Sequence, residues 1–298
     1  MERTARANEV PVAHDALDAA FERLATAGFE LPNGFVNHGA MACEALEALD
    51  IGADLEKWAG QFSHVRGGVE VAPAVDPVSF DGRAHLGDYD RLPEWIGLFE
   101  ASIRVGGWEA VVAEWVPVLV PAFSNKLFHG AIRVGHATRA ISSSDGPARR
   151  AELARALAYW AARYRPGAVT TVVDEPDVRQ AVLDTGVTAA RRYVEDPDIF
   201  TLHGVTSAMA AQLLLPHVGE TAGLELLAQL RAGHTSFYGT RIPPSASAAV
   251  AAMEWPAVSK DAAASHDPHQ VKLVEACKRG WAATGDVAFT CAATIVTG

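Results

Sequence analysis

Five histidines stand where an imidazole is costly. His38, His129, His136, His203 and His269 each lie on, or at the start of, an apolar and alanine-rich stretch with helical periodicity. Burying an imidazole is unfavourable unless it is bound to something. Helical bundles commonly resolve several such residues by pointing them at one metal ion. Each of the five is therefore read either as a hydrogen-bonded core residue or as a metal ligand.

Spacing limits which of them can share an ion. In FHGAIRVGHATRAI (128–141) the seven-residue step from His129 to His136 returns to within about 20° of the same helix face and advances about 10.5 Å. With metal–nitrogen bonds of about 2 Å, the two could grip one ion only by straddling it. Arg133 lies between them on that face, where its charge repels a bare cation. It suits an anionic ligand, an acidic substrate oxygen or a structural ion pair. In SHDPHQVKLVEACKRG (265–280), His269 and Lys272 are three apart on one face of a first helical turn. Burial and nearby positive charge both lower a lysine pKa. A neutral Lys272 amine could act as a base or take up CO2 as an anionic carbamate ligand. The other reading is a surface lysine with its stem along the apolar face. His14, His64, His85, His217, His234 and His266 sit beside turn-forming or polar residues and are expected in solvent.

The elements that must position these groups are helical. HDALDAAFERLATAGF and NHGAMACEALEALDIGADL place apolar residues at helix-face spacing, and LPEWIGLFEASIRV and GWEAVVAEWVPVLVPA are two apolar helices stopped by Gly and Pro. DGPARRAELARALAYWAARYRPG sets Leu153, Leu157 and Trp160 inward and its arginines outward. Further helices are expected over 177–185, 203–216, 219–232, 245–254, 267–279 and 285–296. The last but one has Asp267 as N-cap, Pro268 at N1, Gln270 as capping-box partner and Gly280 just past its end. Residues 61–92 read as a long irregular loop or lid, and AVTTVVD (168–174) is the one strand candidate. The expectation is one all-α domain of about a dozen helices, with a metal site in its helical core.

Bulk properties narrow the partners. A formal net charge of −11 over 298 residues, with no dense Lys/Arg run, argues against nucleic acid or an anionic membrane surface. Cys43, Cys277 and Cys291 are far apart and fit a reducing compartment. No apolar run approaches the ~20 residues of a membrane span, and the polar N-terminus lacks a secretory h-region. A cytoplasmic location is expected.

Four stretches in this order resemble the questin oxidase-like family: VNHGAMACEALEALD (36–50), FHGAIRVGHATRAI (128–141), LHGVTSAMAAQLLLP (202–216) and DPHQVKLVEACKRG (267–280). ELARALAYWAARY (152–164) is similar to the segment that follows the family's HG-containing helix, and the resemblance spans about residues 12–290. It implies Fe(II) held by four histidines and a carboxylated lysine, with O2 as co-substrate. It also implies oxygenation or ring opening of an anthraquinone-type polyketide or its hydroquinone. The ligand candidates carried over are His38, His129, His136, His203, His269 and Lys272. That is one histidine more than the family pattern, and spacing leaves either His129 or His136 beside the metal or facing substrate. Arg133 and His136 are the candidates for orienting a phenolate or moving a proton. Trp95, Trp115 and Phe128 are candidates for the pocket wall or for core packing.

Some reactions of that family use NADPH. Here RVGGWEA (104–110) and VRGGVEV (65–71) lack the dinucleotide fingerprint and its strand–helix context, so a tightly bound nicotinamide or flavin is not supported. The chain is also much shorter than the fungal members, which leaves the pocket walls and so the substrate open, and the sequence does not fix the oligomeric state. Two rivals remain. SHDPH (265–269) is a fragment of the pattern of all-α His-Asp phosphohydrolases, but Pro268 sets His266–Asp267 before the helix start. The other is a non-catalytic helical ligand-binding protein with structural histidines.

Overall fold

The computed structural model describes residues 15–65, 80–167, 174–244 and 253–297. Among them are thirteen α-helices and no strand beyond one isolated bridge, Glu30 to Val36, making one all-α domain. In chain order these are α1 Ala16–Leu24, α2 Gly39–Leu49, α3 Leu55–Phe62, α4 Leu92–Gly106, α5 Trp108–Leu119, α6 His129–Ser143 and α7 Pro147–Ala162. Then follow α8 Val178–Glu195, α9 Ile199–Leu214, α10 Glu220–Tyr238, α11 Trp255–Ala264, α12 Pro268–Thr284 and α13 Val287–Thr297.

Aspartate starts many of these helices. Asp15, Asp54, Asp177, Asp198 and Asp267 each accept a backbone N–H of the first turn, at 2.7 to 2.9 Å. A side-chain acceptor there satisfies one of the four orphan amides every helix presents. Asp267 and Pro268 begin α12 as read from the sequence, but the helix runs past Gly280 to Thr284 and caps on left-handed Gly285. Gly280 has a packing role instead: a Cβ there would lie 2.5 Å from the Phe289 ring, so its bare backbone admits α13. Gly130 does the same for α7, where a Cβ would come within 2.6 Å of the Trp160 ring.

Four of the helices form a closed ring. α2 packs on α6, α6 on α9, α9 on α12, and α12 back on α2. The remaining helices wrap this ring, with α7 over α6 and α8 over α9. The α9 helix and the turn after it, Ile199–His217, are long and apolar enough by composition to cross a membrane. Its neighbours α6, α8 and α12 explain that composition, since it is a core helix covered on several sides.

Several expectations need correction. Where 61–92 is described, it contains the end of α3, two short 3-10 turns at Gly82–His85 and Tyr89–Arg91, and the first residue of α4. The strand candidate at 168–174 and the helix expected at 245–254 lie almost wholly outside the described residues. The arginines of α7 do not all point outward. Arg149 and Arg155 are buried, the first bound to Asp18 (2.9 Å) and the Ala140 carbonyl (2.7 Å), the second to the Ala27 carbonyl (2.9 Å). Paired guanidinium groups can be buried where isolated ones cannot.

Candidate metal centre

Each helix of the ring brings an imidazole from near its N-terminal end. His38 is the residue before α2, His129 opens α6, His203 is fifth in α9 and His269 second in α12. The Nε2 atoms of His38 and His129 are 2.6 Å apart, and those of His129 and His203 3.1 Å. His38, His129 and His203 are all buried, their ligand atoms lie within 4.8 Å of one another, and this cluster could hold a metal ion. His269 packs against this group, its ring centroid 4.3 Å from that of His38 and 5.5 Å from that of His203.

Hydrogen bonds on the far side of the rings fix which nitrogen is free. His129 Nδ1 lies 2.5 Å from the Lys126 carbonyl and His203 Nδ1 2.6 Å from the Ile199 carbonyl. A carbonyl only accepts, so both Nδ1 atoms carry the proton and both Nε2 atoms present bare lone pairs to each other. Asp267 Oδ1 takes the same position on His269 Nδ1 at 3.1 Å. Outer acceptors of this kind orient metal-binding imidazoles and raise their basicity. Donors bound to one first-row ion at about 2.0–2.1 Å stand about 3 Å apart, as these do.

The backbone just before His129 is shaped for that bond. Lys126, Leu127 and Phe128 take φ of +47°, +52° and +66°, three consecutive left-handed residues with no glycine among them. Each such residue costs about 1–2 kcal/mol. The turn folds the Lys126 carbonyl back onto the His129 ring, so a strained segment sits beside the site it orients.

The electrostatics keep the site neutral and ready to donate. Burial, reinforced by Lys272 and the other imidazoles, holds the His38 and His203 pKa values well below the ordinary range and brings that of His129 down to about 3. Burial likewise lowers His269. Lys272 is fully buried on α12, and its Nζ has no hydrogen-bond partner. Burial brings its pKa down to about 7. A buried ammonium with nothing to bind is unfavourable, so burial favours the neutral amine at this point.

Above the imidazoles lies a cavity of about 460 Å³. The four histidines sit in its lining, and Leu31, Phe35, Val36, Phe62, Val65, Leu127, Ile199, Phe200 and Pro268 form the apolar part of the wall. Asn37 also faces it, but its side chain is committed to the Gly28 and Phe62 carbonyls and the Gly39 amide. Among the described residues no Lys, Arg, Asp or Glu lines this space. Its size suits a small organic ligand.

Not every candidate joins this group. His136 lies in a separate buried layer, its Nδ1 2.5 Å from Glu44 Oε2, and it is not one of the clustered histidines. Of the seven-residue pair, His129 therefore takes the cluster position. Arg133 is corrected to a structural role: its Nε and one terminal nitrogen bind both Glu152 oxygens at 2.8 and 3.0 Å, and its guanidinium stacks on Phe29. Trp95, Trp115 and Phe128 pack in the core, away from the cavity wall. His234, expected in solvent, is buried with its Nε2 3.0 Å from Ser207 Oγ. Glu44, Glu275 and Arg139 went unread because acids and arginines on helices ordinarily mark the solvent face.

No protein-family model matches this chain, and a search of curated proteins finds no significant match.

Proposed function

We propose that this protein is a mononuclear non-haem iron oxygenase acting on a polycyclic aromatic polyketide of the anthraquinone or hydroquinone type. The observation that carries the reading is the convergence of four neutral imidazoles beneath an apolar cavity, beside a buried lysine without a partner. His38, His129, His203 and His269 would hold the metal, and Fe(II) would supply O2 binding and one-electron chemistry there. Four neutral donors leave the ion's charge uncompensated, and the helix N-termini around it add positive potential. Lys272 answers this when its Nζ lone pair attacks the carbon of CO2. An N–C bond forms, one N–H proton leaves to solvent, and an anionic carbamate oxygen becomes available as a ligand.

The cavity wall supports the substrate class. Its aromatic and aliphatic side chains, Phe35, Phe62, Leu127 and Phe200 among them, suit the faces of a flat hydrocarbon-rich molecule. A phosphorylated substrate would meet no cationic side chain among the described lining residues, which disfavours the phosphohydrolase reading. So does His266, which lies exposed against Trp58 and Gln61 rather than in the cluster.

The test is metal analysis of protein prepared without an affinity histidine tag, followed by O2 uptake with anthraquinone hydroquinones. About one iron per chain and substrate-dependent O2 consumption are expected, both lost in Lys272→Ala and partly restored by added acetate. A Lys272→Ala protein with full iron and turnover would remove the carbamate. Wild type that binds no iron would leave a helical ligand-binding protein.

A further inference from the structure

The four ligand-bearing helices meet a second time, deeper in the ring. Glu44 lies on α2 six residues beyond His38, and His136 on α6 seven beyond His129. Met209 and Gln212 lie on α9 six and nine beyond His203, and Glu275 on α12 six beyond His269. At 1.5 Å per residue these positions sit about 9–14 Å below the imidazoles along each helix.

The side chains at that depth form one connected set. Arg139 donates from Nε to Glu44 Oε1 (2.6 Å) and from a terminal nitrogen to Glu44 Oε2 (2.5 Å), beside His136. Its other terminal nitrogen reaches across the ring to Glu275. Arg279 grips both oxygens of Glu275 (2.9 and 3.0 Å) and donates to the Met209 carbonyl (2.6 Å) and Gln212 Oε1 (2.7 Å). Thus α6 is tied to α2 and α12, and α12 to α9. Glu44, His136 and Glu275 are each buried.

We infer that Glu44, Arg139, Glu275 and Arg279 are positioning residues that set the register of the four helices, and so the separation of the imidazole Nε2 atoms above them. This rests on the reading of that cluster as a metal site. Bidentate guanidinium–carboxylate pairs are directional, fixing orientation as well as distance. A helix that slipped or turned at the lower layer would carry its imidazole away from the other three. None of the four lines the cavity above the imidazoles, so the set acts through the helices.

The experiment uses the full chain with Co(II) as probe, because the cobalt absorption bands report coordination geometry. Glu44→Gln and Glu275→Gln are compared with Arg149→Lys, which disturbs a buried guanidinium network linking α1, α6 and α7 that makes no hydrogen bond to Glu44, Arg139, Glu275 or Arg279. Three quantities are read: Co(II) affinity by chelator competition, the visible bands, and side-chain 15N NMR signals of His129 and His203 in metal-free protein. Both glutamine variants are expected to weaken Co(II) about tenfold or more, shift the bands and disturb the Nδ1–H signals. Arg149→Lys is expected to lower the melting temperature while leaving all three as in wild type.

Glutamine variants with wild-type affinity, bands and imidazole signals overturn the inference. So does an Arg149→Lys protein that moves them equally. If a glutamine variant fails to fold, Arg139→Lys keeps the charge and removes the planar fork, and the same readouts apply. If wild type binds no Co(II), the metal reading fails on its own, and the imidazole signals of the metal-free variants still decide the positioning role.

Discussion

Along α6, His129 meets two other neutral imidazoles and the unpartnered Lys272, whereas ten residues further on Arg139 sits between two carboxylates. Both layers are buried and both are polar, yet the burial is resolved in opposite ways. In the lower layer the chain supplies every counter-charge itself: burial alone would raise Glu44 and Glu275, but Arg139 together with His136 at Glu44, and with Arg279 at Glu275, outweighs it and holds both carboxyls below their usual range. In the upper layer the chain supplies donors of one kind only, and burial turns them neutral. A self-satisfied polar layer can serve structure alone. An unsatisfied one is where a ligand from outside gains most, and the cavity opens onto that layer.

The comparison breaks most visibly at Arg139. Arg139→Ala removes the shared cation from Glu44 and weakens the hold on Glu275, leaving buried charge uncompensated. We expect a loss of about 3–5 kcal/mol in urea unfolding. A loss below about 1 kcal/mol would mean that the lower layer is wet or replaceable.

The opposite sign is expected one layer up. Lys272→Met replaces an orphaned buried amine with an apolar side chain of similar length. The pKa falls from an ordinary 10.5 to about 7, so at pH 7 the metal-free variant should be more stable than wild type by on the order of 2–4 kcal/mol. On the proposed reading it should also fail to hold iron. A metal-free Lys272→Met chain that is less stable than wild type would show that the amine has a partner already.

Acid separates the layers by pH. An imidazole held below its unfolded pKa stabilises the fold fully above about 6.5, and that contribution is lost as pH falls toward the folded value, about 3 for His129. The depressed carboxyls of Glu44 and Glu275 contribute above about 4.5 and are lost only below it. Metal-free protein should therefore lose stability in two windows. From pH 6.5 downward, each resisting imidazole contributes up to about 1.4 kcal/mol per pH unit. His129→Phe should flatten the upper window and Glu275→Gln the lower. Unfolding free energies that stay level from pH 7 to 5 would contradict the neutral, dry cluster.

How far each layer could be read from sequence follows from the same contrast. The upper layer was legible because histidines on alanine-rich helices have no solvent-face explanation, and Asp267–Pro268 announces the helix that carries His269 and Lys272. Periodicity placed His129 and His136 on one face, but a face is a direction and not a depth. Only Glu44, arriving from α2, decides that His136 belongs below. The lower layer was illegible because Glu44, Arg139 and Glu275 are ordinary helix residues whose burial depends on pairing between distant segments. Arg149 and Arg155 misled for the same reason. His234 sits in a polar-looking stretch, and its burial against Phe128 and Ser207 comes from α10 lying over the residue before α6 and the middle of α9.

The smallest effect concerns the strained turn that joins backbone to site. Lys126→Gly and Lys126→Val both remove the ammonium that pairs with Glu30 at 3.3 Å, so that surface contact cancels between them. What differs is tolerance of φ near +47°, which glycine adopts freely and a β-branched residue resists. Lys126→Val should be less stable than Lys126→Gly by about 1–2 kcal/mol. Only the valine variant should also weaken metal binding, because relaxing the turn withdraws the Lys126 carbonyl from His129 Nδ1 and frees that ring to swap tautomers. Equal stability and equal affinity in the two variants would show that the left-handed turn contributes nothing to holding the imidazole.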